Sequence, residues 1–332
     1  MIMSWNTTNK CNMYCKHCYR DSGNKAKNEL STEEGKLLLD EVVKAGFKIM
    51  IFSGGEPLMR PDIYELVEYA AKIGLRPVLG SNGTLITLEV ARKLKAAGVM
   101  GIGISLDSLN PVKHDEFRKY KEGWNKAVTG MKNCKEVKLP FQIHTTVMDW
   151  NKNEILDITD FAVSMGAVAH HIFFMVPTGR GTSIENEVLS KMQYEKTLKD
   201  IMLKQKEVSI ELKPTCAPQF MRIAKENDVK TRFRKGCIAG TSYCIISPSG
   251  NVQPCAYLNL PIGNVRETHF SEIWNDSLVF KRLRTLDYKG KCGVCSYKKA
   301  CGGCRARAAF YNDEDIMAED IWCLYSDNKE RI

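Results

Sequence analysis

Apolar positions recur through the first two-thirds of the chain with two alternating periods. Leu38, Val42 and Ala45 share one helical face behind a Ser31–Glu34 spacing that predicts a capping box, and Gly46 stands where that helix would end. The short apolar run KIMIF (48–52) then reads as a buried strand. Pro61 opens a second helical stretch with Ile63, Leu66, Val67 and Ala70 inside, Gly74 closes it, and RPVLG (76–80) follows. Thr87, Val90, Leu94, Ala97 and Gly98 repeat the arrangement before MGIGISL (100–106), and Ile155, Ile158, Ala162, Met165 and Gly166 repeat it before HHIFFMV (170–176). Helix, glycine, buried strand and loop in repetition form a βα repeat, which implies a parallel sheet. Strands are expected at 3–8, 48–52, 76–80, 100–106, 140–148 and 170–176. Six units are too few to close an eight-stranded barrel and enough for an open one. The fold class is therefore α/β, a partial (β/α)6 TIM-like barrel whose active site would lie at the C-terminal strand ends.

Small, polar and glycine residues leave every one of those strands on one side. They are Gly54-Gly55-Glu56-Pro57 after the second, Ser81-Asn82-Gly83 after the third, Ser105-Leu106-Asp107 after the fourth, Thr145 and Thr146 in the fifth, and PTGRG (177–181) after the sixth. A glycine pair allows close approach of backbone to a ligand. An ordinary βα turn explains any one of these exits, but not all of them together. The first strand delivers CNMYCKHC (11–18), with Cys11, Cys15 and Cys18 in eight residues. Three thiols in so short a span suit a metal, and three is one short of a closed tetrahedral zinc site or a filled cubane.

Composition narrows the class. Hydrophobic residues make up 44% and charged residues 26% of 332, ordinary values for a globular chain. No run of 18 apolar residues and no secretory start are present, which points to the cytoplasm and away from a membrane. The net charge of +9 is scattered, without a basic stripe interleaved with aromatics, so nucleic acid is not expected. Of 13 cysteines, nine lie between 216 and 323. That density sets a tail apart from the barrel: 1–210 as barrel, 211–236 as linker, and 237–332 as a small cysteine-rich domain. The tail reads Cys237-x6-Cys244-x10-Cys255, then Cys292-x2-Cys295-x5-Cys301-x2-Cys304, then Cys323. Paired CxxC spacing also suits zinc ribbons. Cys134 sits on a helical stretch as a small apolar residue, and Cys216 lies in KPTCAPQF between barrel and tail.

Cys11, Cys15 and Cys18 followed by the GGEP turn and the polar strand exits resemble the radical S-adenosylmethionine (radical SAM) superfamily. The resemblance implies that the three thiolates hold three irons of a [4Fe–4S] cluster, leaving the fourth iron for S-adenosylmethionine. Residues of Gly54–Pro57 would face its amino group, and Ser81, Asn82, Ser105 and Asp107 would meet its ribose or carboxylate. Reductive cleavage would yield a radical that abstracts a substrate hydrogen, with electrons from a donor such as a flavodoxin or ferredoxin. The tail resembles the SPASM extension, which carries auxiliary iron–sulfur clusters, although CGGC has two residues where that pattern has three. Carried over, Cys237, Cys244, Cys255 and Cys304 would hold one [4Fe–4S] cluster, and Cys292, Cys295, Cys301 and Cys323 another. A single auxiliary cluster with Cys244 free stays open.

WNTTNKCNMYCKHCYR, KPTCAPQFMRIA, RKGCIAGTSYC and CGGCRARA resemble the NirJ/Ahb group, which remodels side chains of iron tetrapyrroles. That implies a polycarboxylate substrate, with oxidative decarboxylation of iron-coproporphyrin III propionates to vinyls as the leading reaction and a deacetylation as a related one. Arg20, Arg180, Arg222, Arg305 and Arg307 are candidates for its carboxylates. Cys216 or His114 is a candidate for its iron. Peptide or protein side-chain maturation is the alternative within the superfamily, and a zinc-binding module the alternative outside it.

Overall fold

The computed structural model describes residues 1–24 and 26–326. Its centre is one sheet of nine strands: β1 (Ile2–Asn6), β2 (Ile49–Ser53), β3 (Arg76–Ser81), β4 (Ile102–Ser105), β5 (Phe141–Val147), β6 (Ala169–Phe174), β7 (Glu211–Thr215), β8 (Tyr243–Ile246) and β9 (Val252–Gln253). The spatial order is β7-β6-β5-β4-β3-β2-β1-β8-β9. β1 to β8 run parallel and only β9 is antiparallel, paired to β8. The order is linear with two free edges, so the barrel is open, and all six expected strands belong to it.

Helices α1 (Thr32–Lys44), α2 (Ile63–Lys72), α3 (Leu88–Ala96), α4 (Pro111–Arg118), α5 (Gly123–Glu136), α6 (Ile155–Met165), α7 (Lys191–Lys204) and α8 (Phe220–Glu226) connect and cover it. The local signals explain their limits. Ser31 Oγ accepts from the Glu34 amide at 3.2 Å, and Glu34 Oε2 accepts from the Ser31 amide at 2.8 Å, closing the capping box. α1 and α2 are followed by Gly46 (φ +82°) and Gly74 (φ +88°), in the left-handed region that ends a helix without penalty. α2 begins two residues after Pro61; Asp62 precedes it without a side-chain cap, its carboxylate being taken by Arg60 and Thr32.

Three strands were not expected, the two-residue β9 among them. β7 lies within 211–236, the segment read as a linker. Pro214 interrupts its apolar pattern, yet β7 is an edge strand, where a residue without an N–H leaves no ladder bond unmade. β8 comes from the cysteine-rich tail and pairs with β1 in register Met3↔Cys244. Tail and barrel therefore share one sheet. Their cores differ in size. The large core gathers the helix-facing sides of the strands, with Trp5, Phe52, Ile104, Ile143 and Ile172 fully buried. A second, small core contains Val176, Leu258, Leu283, Tyr288, Ala306, Ile316, Met317 and, among them, Cys304. The tail helices α9 (Phe270–Asp276), α10 (Leu278–Thr285), α11 (Gly290–Val294) and α12 (Arg305–Phe310) are short. Among the described residues no helix is long and apolar enough to cross a membrane.

Candidate active site

The loop leaving β1 carries Cys11, Cys15 and Cys18, all half-buried. It is closed at its base: the Cys11 amide donates to Gly23 O (2.9 Å) and the Gly23 amide to Asn9 O (3.0 Å). Arg180 pins it from the other side, donating from Nε to Cys15 O (3.0 Å) and from its backbone amide to Cys18 O (3.0 Å), with its guanidinium 3.7 Å from the Tyr14 ring. His17 stacks on Phe117 at 4.2 Å. Each thiol has a donor aimed at it. Cys11 Sγ accepts from the Met13 amide (3.4 Å), Cys18 Sγ from the Ser22 amide (3.5 Å), and Cys15 Sγ from Arg118 Nη1 (3.9 Å). Burial still pushes the Cys11 thiol up to about 12, and Cys15 upward against the pull of Arg118. Such thiols ionise by exchanging the proton for a metal, and N–H donors at sulfur are what an iron–sulfur thiolate needs. The residues present fit a cluster.

The GGEP turn lies against this loop. The Gly55 amide donates to Thr8 O (2.7 Å) and the Glu56 amide to Lys10 O (2.9 Å). A Cβ on Gly54 would sit 2.4 Å from Thr8 O, and one on Gly55 2.3 Å from Lys10 O. The glycine pair thus makes room for the chain's own approach to Cys11, not only for a ligand. Glu56 is fully buried. Its carboxylate accepts from Ser81 Oγ (2.9 Å), the Asn82 amide (2.8 Å) and the Leu58 amide (3.3 Å), and desolvation still raises it to about 7. Pro57 starts the single turn 57–59 that follows. Asn82 Nδ2 donates to Asn12 Oδ1 (2.8 Å), tying the exit of β3 to the cysteine loop. Ser105 Oγ reaches Ser81 O (3.4 Å). Asp107 is buried with Arg118 Nε at 2.7 Å and accepts from the Thr146 amide at 2.8 Å. These expected residues come together, in two groups. Gly54–Pro57, Ser81, Asn82 and Ser105 surround Glu56, while Asp107 joins Cys15 through Arg118. Asn12 and Arg118 were missed because their roles depend on contacts across the mouth.

His114 corrects an expectation. It is fully buried beneath Asp107, whose amide donates to its Nδ1 at 3.2 Å, and burial depresses it to about 4. It is a packing partner of the mouth, not an outward-facing ligand. The arginines correct another. Arg222 is ion-paired to Glu195 and Glu226. Arg305 is buried and donates to the carbonyls of Ile316 and Ala318. Arg307 is buried against Asp320. Arg180 serves the cysteine loop and Asp21, and Arg20 Nη1 donates to Gln253 Oε1 at 2.9 Å. Arg222, Arg305 and Arg307 are spent on the chain itself, because a buried guanidinium requires acceptors.

A polar wall that the sequence reading overlooked lines the opposite face of β5 to β7. Ile143, Ile172 and Leu212 point into the large core, so the intervening Gln142, His144, Thr146, His171, Phe173, Lys213 and Thr215 face inward. His144 stacks on His171 at 5.3 Å and bonds Gln142 Nε2 at 2.8 Å. Gly103 admits that ring, since a Cβ there would be 2.1 Å from it. Lys213 Nζ lies over the rings of Phe233 (3.7 Å) and Phe220 (4.2 Å), and burial lowers it to about 8. Strict alternation in FQIHTTV, HHIFF and ELKPT was the available signal.

The tail cysteines separate into three environments. Cys301 lies near Cys292 and Cys323. Cys301 Sγ accepts from the Gly303 amide, Cys295 Sγ from the Tyr297 amide and Cys292 Sγ from the Asp320 amide, each at 3.4 Å. Cys237, Cys255, Cys304 and Cys216 form a second neighbourhood. Cys216 and Cys304 act on each other as a buried pair of thiols, which holds Cys304 low and pushes Cys216 up. Cys244 is elsewhere, fully buried in β8 with Sγ 3.7 Å from Met3 Sδ in the large core. The two-residue CGGC spacing works because Gly302 (φ +75°) and Gly303 (φ +60°) both adopt the left-handed region. That turn sends Cys301 to one group and Cys304 to the other.

Residues 5–162 match the radical SAM superfamily and residues 237–305 match an iron–sulfur cluster-binding domain, SPASM. The chain is 42% identical to the AdoMet-dependent heme synthase of Methanosarcina barkeri, over 99% of its own length and 97% of the relative's. The chain belongs to the radical SAM superfamily. It is a radical SAM enzyme of the NirJ/Ahb group with a SPASM extension, and it uses a [4Fe–4S] cluster, S-adenosylmethionine and auxiliary iron–sulfur clusters. It is 31% identical to the Fe-coproporphyrin III synthase of M. barkeri, over 100% of this chain and 89% of that one. In fold it resembles Streptococcus suis SuiB bound to precursor peptide SuiA, with a TM-score of 0.79 and 18% identity, over 98% of this chain and 76% of that one.

Proposed function

We propose that this radical SAM enzyme oxidatively decarboxylates propionate side chains of iron-coproporphyrin III to vinyls. The observation that carries this reading is the 42% identity, end to end, with a heme synthase, against 31% for the related coproporphyrin-forming enzyme. Cys11, Cys15 and Cys18 would hold the catalytic cluster, and Gly54, Gly55, Glu56, Pro57, Ser81, Asn82, Ser105 and Asp107 the S-adenosylmethionine. When bound, that pair supplies the hydrogen-abstracting radical. The chain's own residues position and shield. Glu56, ringed by neutral donors, offers a carboxylate to an ammonium group. Arg118 holds positive charge beside the Cys15 thiolate. The inward wall of Gln142, His144, His171 and Lys213 faces the space beside the strand ends and offers hydrogen-bond donors and a cation to a polycarboxylate ring. Each propionate loses a hydrogen atom, carbon dioxide and one electron, and an auxiliary cluster of the tail would receive that electron.

Anaerobic incubation with iron-coproporphyrin III, S-adenosylmethionine and a chemical reductant tests the reading. Mass spectrometry should show stepwise loss of two carboxyl groups, together with 5′-deoxyadenosine. Formation of 5′-deoxyadenosine with an unaltered porphyrin would discard the substrate and keep the radical chemistry.

A further inference from the structure

Eight tail cysteines are expected to hold two clusters, and the resemblance to the SPASM extension puts Cys244 in the first set. Its surroundings do not. Cys244 occupies a β8 position paired with Met3, has no exposed surface, and touches Met3 Sδ inside the large core. Cys237, Cys255 and Cys304 neighbour one another instead. Cys255 and Cys304 pack in the small core, and the thiol that joins them there is Cys216.

Three observations converge on Cys216. Its side chain packs with those of Cys304 and Cys255 in the small core. Its backbone is left-handed at φ +58°, a conformation that is strained for a non-glycine residue and kept where the surroundings impose it. The surroundings here are the buried Arg307–Asp320 pair: Arg307 Nη1 donates to Cys216 O (3.0 Å), while Asp320 Oδ2 accepts from the Cys304 amide (2.8 Å). One ion pair thus fixes the backbones of both cysteines, although they are 88 positions apart in sequence. Cys216 also lies outside residues 237–305, where the family likeness of the tail is recognised.

We propose that Cys216, in place of Cys244, completes with Cys237, Cys255 and Cys304 the ligand set of one auxiliary [4Fe–4S] cluster. The assignment rests on the tail holding two clusters. Each thiol releases its proton to solvent and forms one sulfur–iron bond, with no change of oxidation state. The last strand of the barrel is then joined to the tail by a covalent bridge through iron, and Cys244 is a packing residue.

The test uses the full chain with Cys11, Cys15 and Cys18 replaced by alanine, so that all remaining iron belongs to the tail. After anaerobic reconstitution with iron and sulfide, iron and labile sulfide are counted and the dithionite-reduced protein is examined by electron paramagnetic resonance. Cys244→Ala should keep the parent's iron and spectrum. Cys216→Ala should lose half of the iron, and Cys216→Ser, which supplies an alkoxide ligand, should retain iron with a shifted signal from one cluster only. Circular dichroism confirms that each variant is folded. Parent-like iron and spectra for both Cys216 variants, or loss of a cluster in a folded Cys244→Ala protein, would overturn the assignment. A parent that binds iron for one cluster or none would overturn it by a different route, removing the two-cluster reading itself.

Discussion

Each half of the molecule buries one aspartate–arginine pair beside its cysteines, and the two pairs do different work. At the barrel mouth, Asp107 takes Arg118 Nε and the Thr146 amide, and Arg118 then reaches the side chain of Cys15. In the tail, Asp320 takes both ends of the Arg307 guanidinium, the Cys304 amide and Gln219 Nε2, and Arg307 reaches the backbone of Cys216 and Tyr194 Oη. The first pair places charge next to a sulfur. The second holds backbone. The reason lies in the cores. The cysteine loop at the mouth rests on a sheet stabilised by a large apolar core, so its ion pair is free to adjust electrostatics. The tail has a small core into which its own cysteines are packed. It needs its polar network, and its metals, as structure.

That contrast is most easily broken at Asp320. Replacing it with alanine leaves Arg307 buried without a carboxylate and frees the Cys304 amide and Gln219. Removing one partner of such a pair costs about 3–5 kcal/mol. The loss should be confined to the tail. Hydrogen exchange should show lost protection around Cys216 and across 304–322, with β2 to β5 retaining theirs. Equal loss across the barrel strands would show that the shared sheet makes the two regions one cooperative unit.

Much of the barrel was legible because its signals are local. Ser31 with Glu34, and the glycines at 46 and 74, mark helix limits whatever lies around them. β7 and β8 escaped because strand pairing is not local: nothing in ELKPT says that Pro214 will face a free edge, and nothing in SYCII says that it will lie beside β1. The candidate site divides the same way. The CxxxCxxC loop, Glu56 and Asp107 follow from motifs. The partners of Arg222, Arg305 and Arg307 do not, because a guanidinium's acceptors are chosen by tertiary packing. Cysteine spacing gave the number of thiols in the tail but not their grouping. Whether Cys244 turns to the large core or to its fellow cysteines depends on which face of β8 is covered, and only the pairing with β1 decides that.

A smaller effect sharpens the comparison from the barrel side. Asp107 and Asp320 have arginine partners and are held below the usual carboxylate range against the pull of burial. Glu56, at the same mouth as Asp107, has only neutral donors, and its folded pKa of about 7 exceeds the ordinary 4.5. The folded state therefore holds a proton that the unfolded state releases. Its contribution to stability is fully present below pH 4.5 and is lost as pH rises to about 7. The full difference is worth about 3 kcal/mol. Without ligand, denaturation midpoints of the wild type should fall across that window, and Glu56→Gln should flatten the slope. A wild-type stability that instead climbs through the window would mean that a cation reaches Glu56 in the free protein.

The smallest expected effect separates a thiol that packs from thiols that bind. Cys134 lies in α5 with no exposed surface, and burial alone pushes it up to about 12. It belongs to the large core and to no group of cysteines. Cys134→Ala should remove only van der Waals contact and a little buried area, about 1 kcal/mol in a urea titration. Iron content and absorbance of the reconstituted protein should not move. A drop in iron larger than that loss of stability accounts for would mean that the rule used throughout fails, namely that a ligand thiol is recognised by the donors and fellow thiols around it.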